Sequence, residues 1–501
     1  MPEHPRSFYS RLFPHELSKY PPEVMAGLAA RLEDTSEHRG DRTRAVLGAI
    51  PSGYVYFAQL VDHDLSHDKT PFANAGAVPP EKTRNWRTPR LDLEILYGEG
   101  RELDAVLYDR GHPQGPGYLA LGPAMSGAAV EVPDNDLKRN PNGVAQVFDW
   151  RNDTTLVLAQ LQVLLIKFHN RLLDDVKAGK VQGVSGGDDF AQTKRLATWH
   201  YQWLIWNDLL PRLVLSQVLD NVSRKGARLL ATSSRFHIPV EFTLAAFQYG
   251  HSAVQFIYNL NRTVPTCPQE HTMYLTGFGH FQRPDLSDPR QNQLPAQFII
   301  DPMRMFGLAP RARCNFSAPI DTLISPGLYR VPGTLSLILN NQRLEDTGLT
   351  LRRNDPKTYS AVEAALQRAG AVGLPSGQVA CREAGVPRLK PEQLAYSAEL
   401  HQFLDDNGLL RDTPLFYYLL REAELLGKAR PNEPSRTRLG PLGSRIVAEV
   451  LLGVLQADRH SYLHRKWQPP VIYGDKRGSD VRIDSLKKLA LYAAGYQRSL
   501  V

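Results

Sequence analysis

Apolar residues recur at helical spacing in most of the strongly patterned stretches of this chain, and at strand spacing in few. The pattern predicts helices over residues 22–34, 153–176, 193–219, 241–260, 391–407, 414–426, 443–458 and 484–496. The first opens on Pro22, a residue suited to the first helical turn. Residues 153–176 form one of the longest, with Asp153 or Thr154 as N-cap before a run rich in Leu and Val. Between these elements lie long stretches rich in Pro, Gly, Asp and Asn, over 71–85, 108–142 and 263–295. Loops of that length in a compact domain usually carry function or are disordered. Strand signals are weak, there is no internal repeat, and helical patterning resumes soon after the candidate linker at 428–438. The expected fold is therefore mainly α, a single large helical domain with long loops and little β structure. Its expected parts are an N-terminal arm over 1–40, the domain over 41–475 and a C-terminal helical tail over 476–501 packed on it.

Composition narrows the function classes. With 501 residues, 42% hydrophobic and 22% charged, the chain has the make-up of an ordinary globular protein. A net charge of +7 would suit an anionic partner, but Lys and Arg are interspersed with acids rather than gathered in a stripe, so nucleic acid is not the expected one. Cys267, Cys314 and Cys381 are odd in number and widely spaced, which argues against a disulfide framework or a zinc cluster. Residues 1–20 are polar, without the apolar centre of a signal peptide, and no unbroken apolar run reaches 18 residues. A cytoplasmic protein with no membrane span is the expectation, with signal-less export as the alternative.

Polar residues placed where the pattern demands apolar ones mark the candidate chemistry. The run from Tyr54 to Leu65 is apolar except for Gln59, Asp62, His63 and Asp64. Buried polar groups cost about 1–3 kcal/mol each unless partnered. In a helix, Gln59 and His63 share a face, so both address the same space. A core histidine satisfied by its carboxylate neighbours is the competing explanation. Gly250 precedes His251 inside a predicted helix, at a cost of roughly 1 kcal/mol relative to Ala. A close helix contact would explain it, and so would something flat or bulky approaching the backbone. Arg151 stands among Asp149, Asn152 and Asp153, where it can face a pocket or pair with an acid at the surface. Thr88, Arg90, Asp92 and Glu94 alternate, as in a half-exposed strand or in an extended loop offering oxygens to calcium.

Taken together, these elements resemble the animal-type haem peroxidases of the peroxidase–cyclooxygenase superfamily, and among them the shorter bacterial members. The resemblance runs from about Gly53 to Pro470. It rests on Gln59 with Asp62-His63-Asp64, Thr88 with Asp92-Leu93 and Tyr97-Gly98, and Arg151 with His169-Asn170-Arg171 eighteen residues later. Tyr249-Gly250-His251-Ser252, Arg368 with the stretch Gly373 to Gln378, and Gly443 to Glu449 continue it.

The resemblance implies a haem-peroxidase-like fold and a role for each element. His63 corresponds to the distal histidine that moves a proton between the two oxygens of hydrogen peroxide, a task suited to a base of near-neutral pKa. Arg151 corresponds to the distal arginine, and Gln59 to a glutamine that orders water or halide above the iron. His251 corresponds to the iron ligand. Asp64, Thr88, the Arg90 carbonyl, Asp92 and Glu94 correspond to a calcium site. Asp62 matches a residue ester-linked to the haem edge in some relatives. The acceptor behind His251 is Asn340 if the stretch 339–343 is aligned, with Arg343 near a haem propionate. Alignment on Arg368 instead places Ala365 there, which has no acceptor.

Departures from the family pattern matter as much. Thr154 stands where ester-forming relatives have glutamate, so a second ester is not expected. Gln248 stands where peroxidases carry arginine and cyclooxygenases and fatty-acid dioxygenases carry a radical tyrosine, and it can do neither job. Glu94 replaces a serine or aspartate. The expected activity is that of a haem b peroxidase acting in the response to oxidative stress, reducing hydrogen peroxide through a ferryl species and oxidising a phenol, another aromatic compound or a halide. A haem-dependent fatty-acid dioxygenase is the runner-up. A zinc hydrolase using His63 and His67 lacks an evident third ligand, and a haem-binding relic need not keep residues on both faces of the haem.

Overall fold

The computed structural model describes residues 7–34, 50–122, 135–141, 144–230, 236–255, 257–262, 267–268, 294, 299–329, 331–332, 358–428, 436–475 and 479–496. Helices of eight or more residues are α1 (Pro22–Leu32), α2 (Ser52–Leu65), α3 (Leu156–Lys177), α4 (Asp189–Leu204), α5 (Ser216–Lys225) and α6 (Ala361–Val372). They continue with α7 (Gly377–Ala384), α8 (Ala398–Asp406), α9 (Leu415–Leu426), α10 (Pro441–Ala457) and α11 (Leu486–Ala493). The mainly α expectation holds.

Burial explains the arrangement. In α3, Leu, Val and Ile residues are buried almost all round, because α2, α4 and α11 pack against it. By length and composition α3 could cross a membrane, but 83% of its apolar window is buried inside the protein, as in a core helix. A second group packs α10 against α5 and α9, and α1 lies against α6. One continuous apolar core reaches from Tyr9 to Ala493.

Strand structure is slight. In a three-stranded sheet, β1 (Ser7–Ser10) pairs antiparallel with β2 (Arg84–Asn85) and parallel with β3 (Ile238–Pro239). The described part of the N-terminal segment is stitched into the fold. Arg11 donates to the carbonyls of Val372 and Gly373, both at 2.7 Å, and the Leu12 and Phe13 amides donate to the buried Glu241 carboxylate.

Four predicted elements differ. The helix expected over 391–407 begins only at Ala398, after a short 3-10 turn over Pro391–Gln393. Residues 153–176 are capped by Thr155, whose hydroxyl accepts from the Leu158 amide at 3.3 Å, while Asp153 pairs with Arg139 at 2.8 Å. The stretch 193–219 is broken. Pro211 has no N–H to continue the ladder, and a wide π turn over Ile205–Leu209 precedes it. Residues 241–260 are not one helix but the turns Val240–Thr243, Ala246–Tyr249 and Gly250–Ala253. Tertiary partners win there. Gln248 donates to the Thr243 carbonyl at 2.7 Å, and Ser252 and Gln255 donate to carbonyls of the 316–321 segment.

Candidate active site

The wall carrying His63 is built first by α2. All of its residues are buried except Gln59 and Asp62, three apart and hence on one face. Asp62 borders a cavity of about 160 Å³ shared with Arg151 from beyond α2, Thr243 and Gln248 from the 240–253 segment, Arg368 from α6 and Tyr9 from β1. Neither His63 nor His251 borders that cavity, although both stand on the elements that form its walls.

Behind α2 lies a charged buried layer. Asp149 is fully buried and bridges two arginines, Arg87 and Arg151. Burial alone would raise the Asp149 carboxyl, but the two guanidinium groups overcome it and hold it well below the usual carboxylate range. Arg151 also donates to the carbonyls of His63 at 3.1 Å and Ser66 at 2.7 Å, and Arg87 to that of His63 at 3.1 Å. Arg151 thus does pair with Asp149, but in the interior, where it clamps the C-terminal end of α2. Two cations against one anion leave this layer with a net positive charge.

His63 itself bonds through Nδ1 to Asn152 Oδ1 at 2.7 Å. Burial, then the Arg151 charge, lowers its pKa to about 3. The near-neutral base expected from the sequence is therefore a neutral imidazole of low basicity here. Burial raises Asp62 to about 6 against the pull of Arg151.

On the far side of α2 the stretch 88–93 is a loop rather than a strand, and it runs into a single helical turn at Glu94–Tyr97. Leu93 takes a left-handed conformation, φ 59°, uncommon for a branched side chain. That turn aims the Leu93 and Ile95 amides at the two oxygens of Asp64, at 3.1 and 3.2 Å. Thr88 donates its hydroxyl to Asp92 at 2.9 Å and its amide to Glu94 at 3.1 Å. Burial and the neighbouring Asp92 charge raise Asp64, while burial and Glu94 raise Asp92 to about 6. Lys194 of α4 lies 4.8 Å above the Tyr97 ring, within electrostatic reach of Asp92 and Glu94. Asp64, Thr88, Asp92 and Glu94, four of the five sequence-derived calcium residues, are thus brought together, and Asp92 Oδ1 is buried without a hydrogen-bond partner. Among the described residues no three His, Cys, Asp or Glu side chains stand ready to hold a metal. Calcium, however, takes hydroxyl and backbone oxygens beside carboxylates, and this donor set is all oxygen. The same finding leaves His63 and His67 without a third zinc ligand among the described residues.

The 240–253 segment, which supplies Thr243 and Gln248 to the cavity, is plainer. His251 bonds through Nδ1 to the Gln248 carbonyl at 3.1 Å, and its ring meets Phe416 edge-on at 6.1 Å. Burial lowers its pKa, opposed by that carbonyl. With Nδ1 engaged, Nε2 is left for a ligand. A Cβ on Gly250 would meet only Val55 Cγ1, at 4.0 Å, so a tight helix contact does not explain the glycine. Asn340 and Arg343 lie outside the described residues. Arg368 pairs with Asp68 at the cavity edge. His67, between the cavity-lining Ser66 and Asp68, is buried, and neither ring nitrogen has a partner among the described residues. The loose packing at Gly250, where a Cβ would make only an ordinary contact, the spare Nε2 of His251 and the orphaned His67 fit a haem.

Sequence reasoning missed Arg87 and the linking role of Asn152, and it read Asp149 only as a surface partner. Their signal was adjacency, since Arg87 precedes Thr88 and Asp149 and Asn152 flank Arg151. Conversely, the motif residues His169 and Asn170 are structural. His169 bridges the Tyr97 hydroxyl and the Gly117 carbonyl, and Asn170 pairs with the Leu119 backbone. A second cavity, about 280 Å³, lies between α3 and residues 299–306 and touches none of the candidate site residues.

The fold is shared with a peroxidase and with fatty acid alpha-dioxygenases. Peroxidase A from Dictyostelium discoideum superposes with a TM-score of 0.59 at 16% identity, covering 91% of this chain and 88% of that one. Fatty acid alpha-dioxygenase from Arabidopsis thaliana gives 0.53 at 15% identity over 91% and 72%. The enzyme of that name from Oryza sativa gives 0.56 at 14% identity over 91% and 76%. Residues 68–286, a little under half of the chain, match the family model for animal haem peroxidase. Arg151, His251 and the 88–94 loop lie inside the matched stretch, and Gln59 to Asp64 just before it. Heme peroxidase 2 from Caenorhabditis elegans is 28% identical over 113 residues, which are 22% of this chain and 16% of that protein.

Proposed function

We propose that this protein is a haem-dependent peroxidase that reduces hydrogen peroxide at the expense of a small phenolic, aromatic or halide donor. The observation that carries the reading is the pairing of walls. One holds a buried neutral histidine backed by a cationic layer, and the other a histidine with a spare Nε2 beside an unfilled glycine. Haem, once bound, supplies the redox centre at which peroxide is reduced and to which donor electrons return.

In this reading His251 Nε2 holds the iron, and its Nδ1–H is steadied by the Gln248 carbonyl. His63 Nε2 takes the proton from peroxide and passes it to the departing oxygen. Its low basicity makes the protonated form a ready donor for the second transfer. Arg151, its position fixed by Asp149 and two carbonyls, opposes the negative charge that develops between the oxygens. Gln59, on the same face, orders the small molecules entering there. Arg368 would face a haem propionate, with Arg343 as a second propionate contact and Asn340 as the acceptor behind His251 in the alternative alignment. Asp62, which borders the same cavity, would stand at the haem edge, where an ester is one outcome. Calcium bound by Asp64, Thr88, the Arg90 carbonyl, Asp92 and Glu94 would hold α2 in register. A cytoplasmic location and a role in peroxide defence accompany this reading.

A dioxygenase acting on fatty acids is the competing reading, favoured by two of the structural neighbours. Gln248, which borders the cavity at the position of a radical tyrosine, counts against it. Stopped-flow spectra with hydrogen peroxide, followed by a panel of halides, phenols and an unsaturated fatty acid, separate the two. Rapid peroxide reduction with oxidation of a phenol or halide is expected. Oxygen uptake with the fatty acid and no peroxide turnover would overturn the peroxidase reading.

A further inference from the structure

The residue after Arg151 does more than fill space. His63 Nδ1 lies 2.7 Å from Asn152 Oδ1, Asn152 Nδ2 lies 3.2 Å from Gln162 Oε1, and Gln162 Nε2 lies 3.1 Å from the Ile95 carbonyl. All four residues are buried.

The direction of this chain of bonds follows from its last member. A backbone carbonyl only accepts, so the atom of Gln162 that meets it must be the amide nitrogen. The oxygen of Gln162 then faces Asn152, which must answer with its own nitrogen. That turns the Asn152 oxygen toward His63. An oxygen there requires an N–H on the ring, so Nδ1 carries the proton and Nε2 carries the lone pair. The alternative tautomer would set two acceptors against each other at 2.7 Å, leaving both unsatisfied in the interior.

We propose that the Asn152–Gln162 amide pair, anchored on the Ile95 carbonyl, locks His63 in the Nδ1–H tautomer and so makes both amides positioning residues for proton transfer at Nε2. The proposal rests on the reading of His63 as the proton-accepting group. It matters because a neutral imidazole otherwise divides between two tautomers, and the wrong one presents an N–H where a lone pair is needed. The anchor is well chosen. Ile95 donates its own amide to Asp64, the residue following His63, so one peptide segment fixes both the helix and the ring.

The test is histidine-selective ¹⁵N NMR on the purified protein, with the His63 signals assigned by their loss in His63→Gln. Wild type should show the Nδ1–H tautomer alone. Asn152→Leu, which removes the acceptor, should move most of the population to Nε2–H. It should also slow the reaction with peroxide about tenfold, a part of what general acid–base catalysis contributes. Asn152→Asp, which keeps an acceptor, should restore both. Gln162→Met frees Asn152 to turn and should give a mixture, and it carries the test if Asn152→Leu does not fold. A wild-type Nε2–H tautomer, an unchanged tautomer in Gln162→Met, or equal behaviour of the Leu and Asp variants would overturn the proposal. A locked tautomer in a protein inert to peroxide would remove the peroxidase reading, and with it the positioning role.

Discussion

The two walls of the cleft are made differently. The wall with His63 is cross-linked by buried polar bonds: Asp149 to two arginines, Asp64 to two amides, and Asn152 through Gln162 to Ile95. The wall with His251 is a series of short turns, and its histidine is held by one backbone carbonyl and an edge-on phenylalanine. The protein itself prepares the first wall, whose groups must be placed to within a hydrogen bond before peroxide arrives. The second wall leaves its spare valence to the group it is meant to bind.

Changes to the first wall should therefore damage chemistry or stability while leaving cofactor capture intact. The largest effect belongs to His63→Ala, which should slow the reaction with peroxide by about 10²–10⁴-fold. Stopped-flow rates at several peroxide concentrations measure it, and a rate equal to wild type would remove His63 from proton transfer. Next is Asp149→Asn. It strips the carboxylate from two buried arginines and should cost about 3–5 kcal/mol in denaturant unfolding. A loss below 1 kcal/mol would mean that the layer is not holding α2.

The 88–94 loop sharpens the comparison further. If calcium occupies it, saturating calcium at a thousand times its Kd should add about 4 kcal/mol relative to chelated protein. Equal melting temperatures with calcium and with chelator would count against that role.

The smallest effect lies behind the second wall. Glu422 of α9, which packs near the 246–249 turn, is fully buried and accepts from the Leu442 and Gly443 amides. Burial raises its pKa to about 7, from an ordinary value of 4.5. The folded state then holds a proton that the unfolded chain has lost, so this group's stabilisation is complete below pH 4.5 and disappears as pH rises through 7. Over that window the loss is on the order of 3 kcal/mol at most. Glu422→Gln should flatten the fall in melting temperature between pH 5 and pH 8, and an unchanged slope would show that other groups set it.

The same contrast decides what was legible in the sequence. Gln59, Asp62, His63 and Asp64 stood out because they interrupt an apolar helix, and Gly250-His251 because glycine would be costly inside the helix that periodicity predicts there, although Gly250 in fact opens a short turn. The helical class followed from long apolar periodicities such as that of α3. Partners remote in sequence were not legible. Nothing in Arg87 or Gln162 alone says that the fold brings them to Asp149 and Asn152, 62 and 10 residues away. Helix breaks at Leu244 and Val214 were hidden for the same reason, because remote partners hold these stretches: Ser444 accepts from the Leu215 amide, Arg438 donates to the Val214 carbonyl, and Ser252 and Gln255 donate to the 316–321 segment.

The account as a whole turns on haem held by the second wall and used by the first. The direct test is the absorption spectrum and haem content of wild type, His63→Ala and His251→Ala, purified with haem supplied. The account predicts a Soret band at full haem content in wild type and in His63→Ala, and a band lost or strongly shifted in His251→Ala. An unaltered band in His251→Ala, or no haem in wild type, would contradict it.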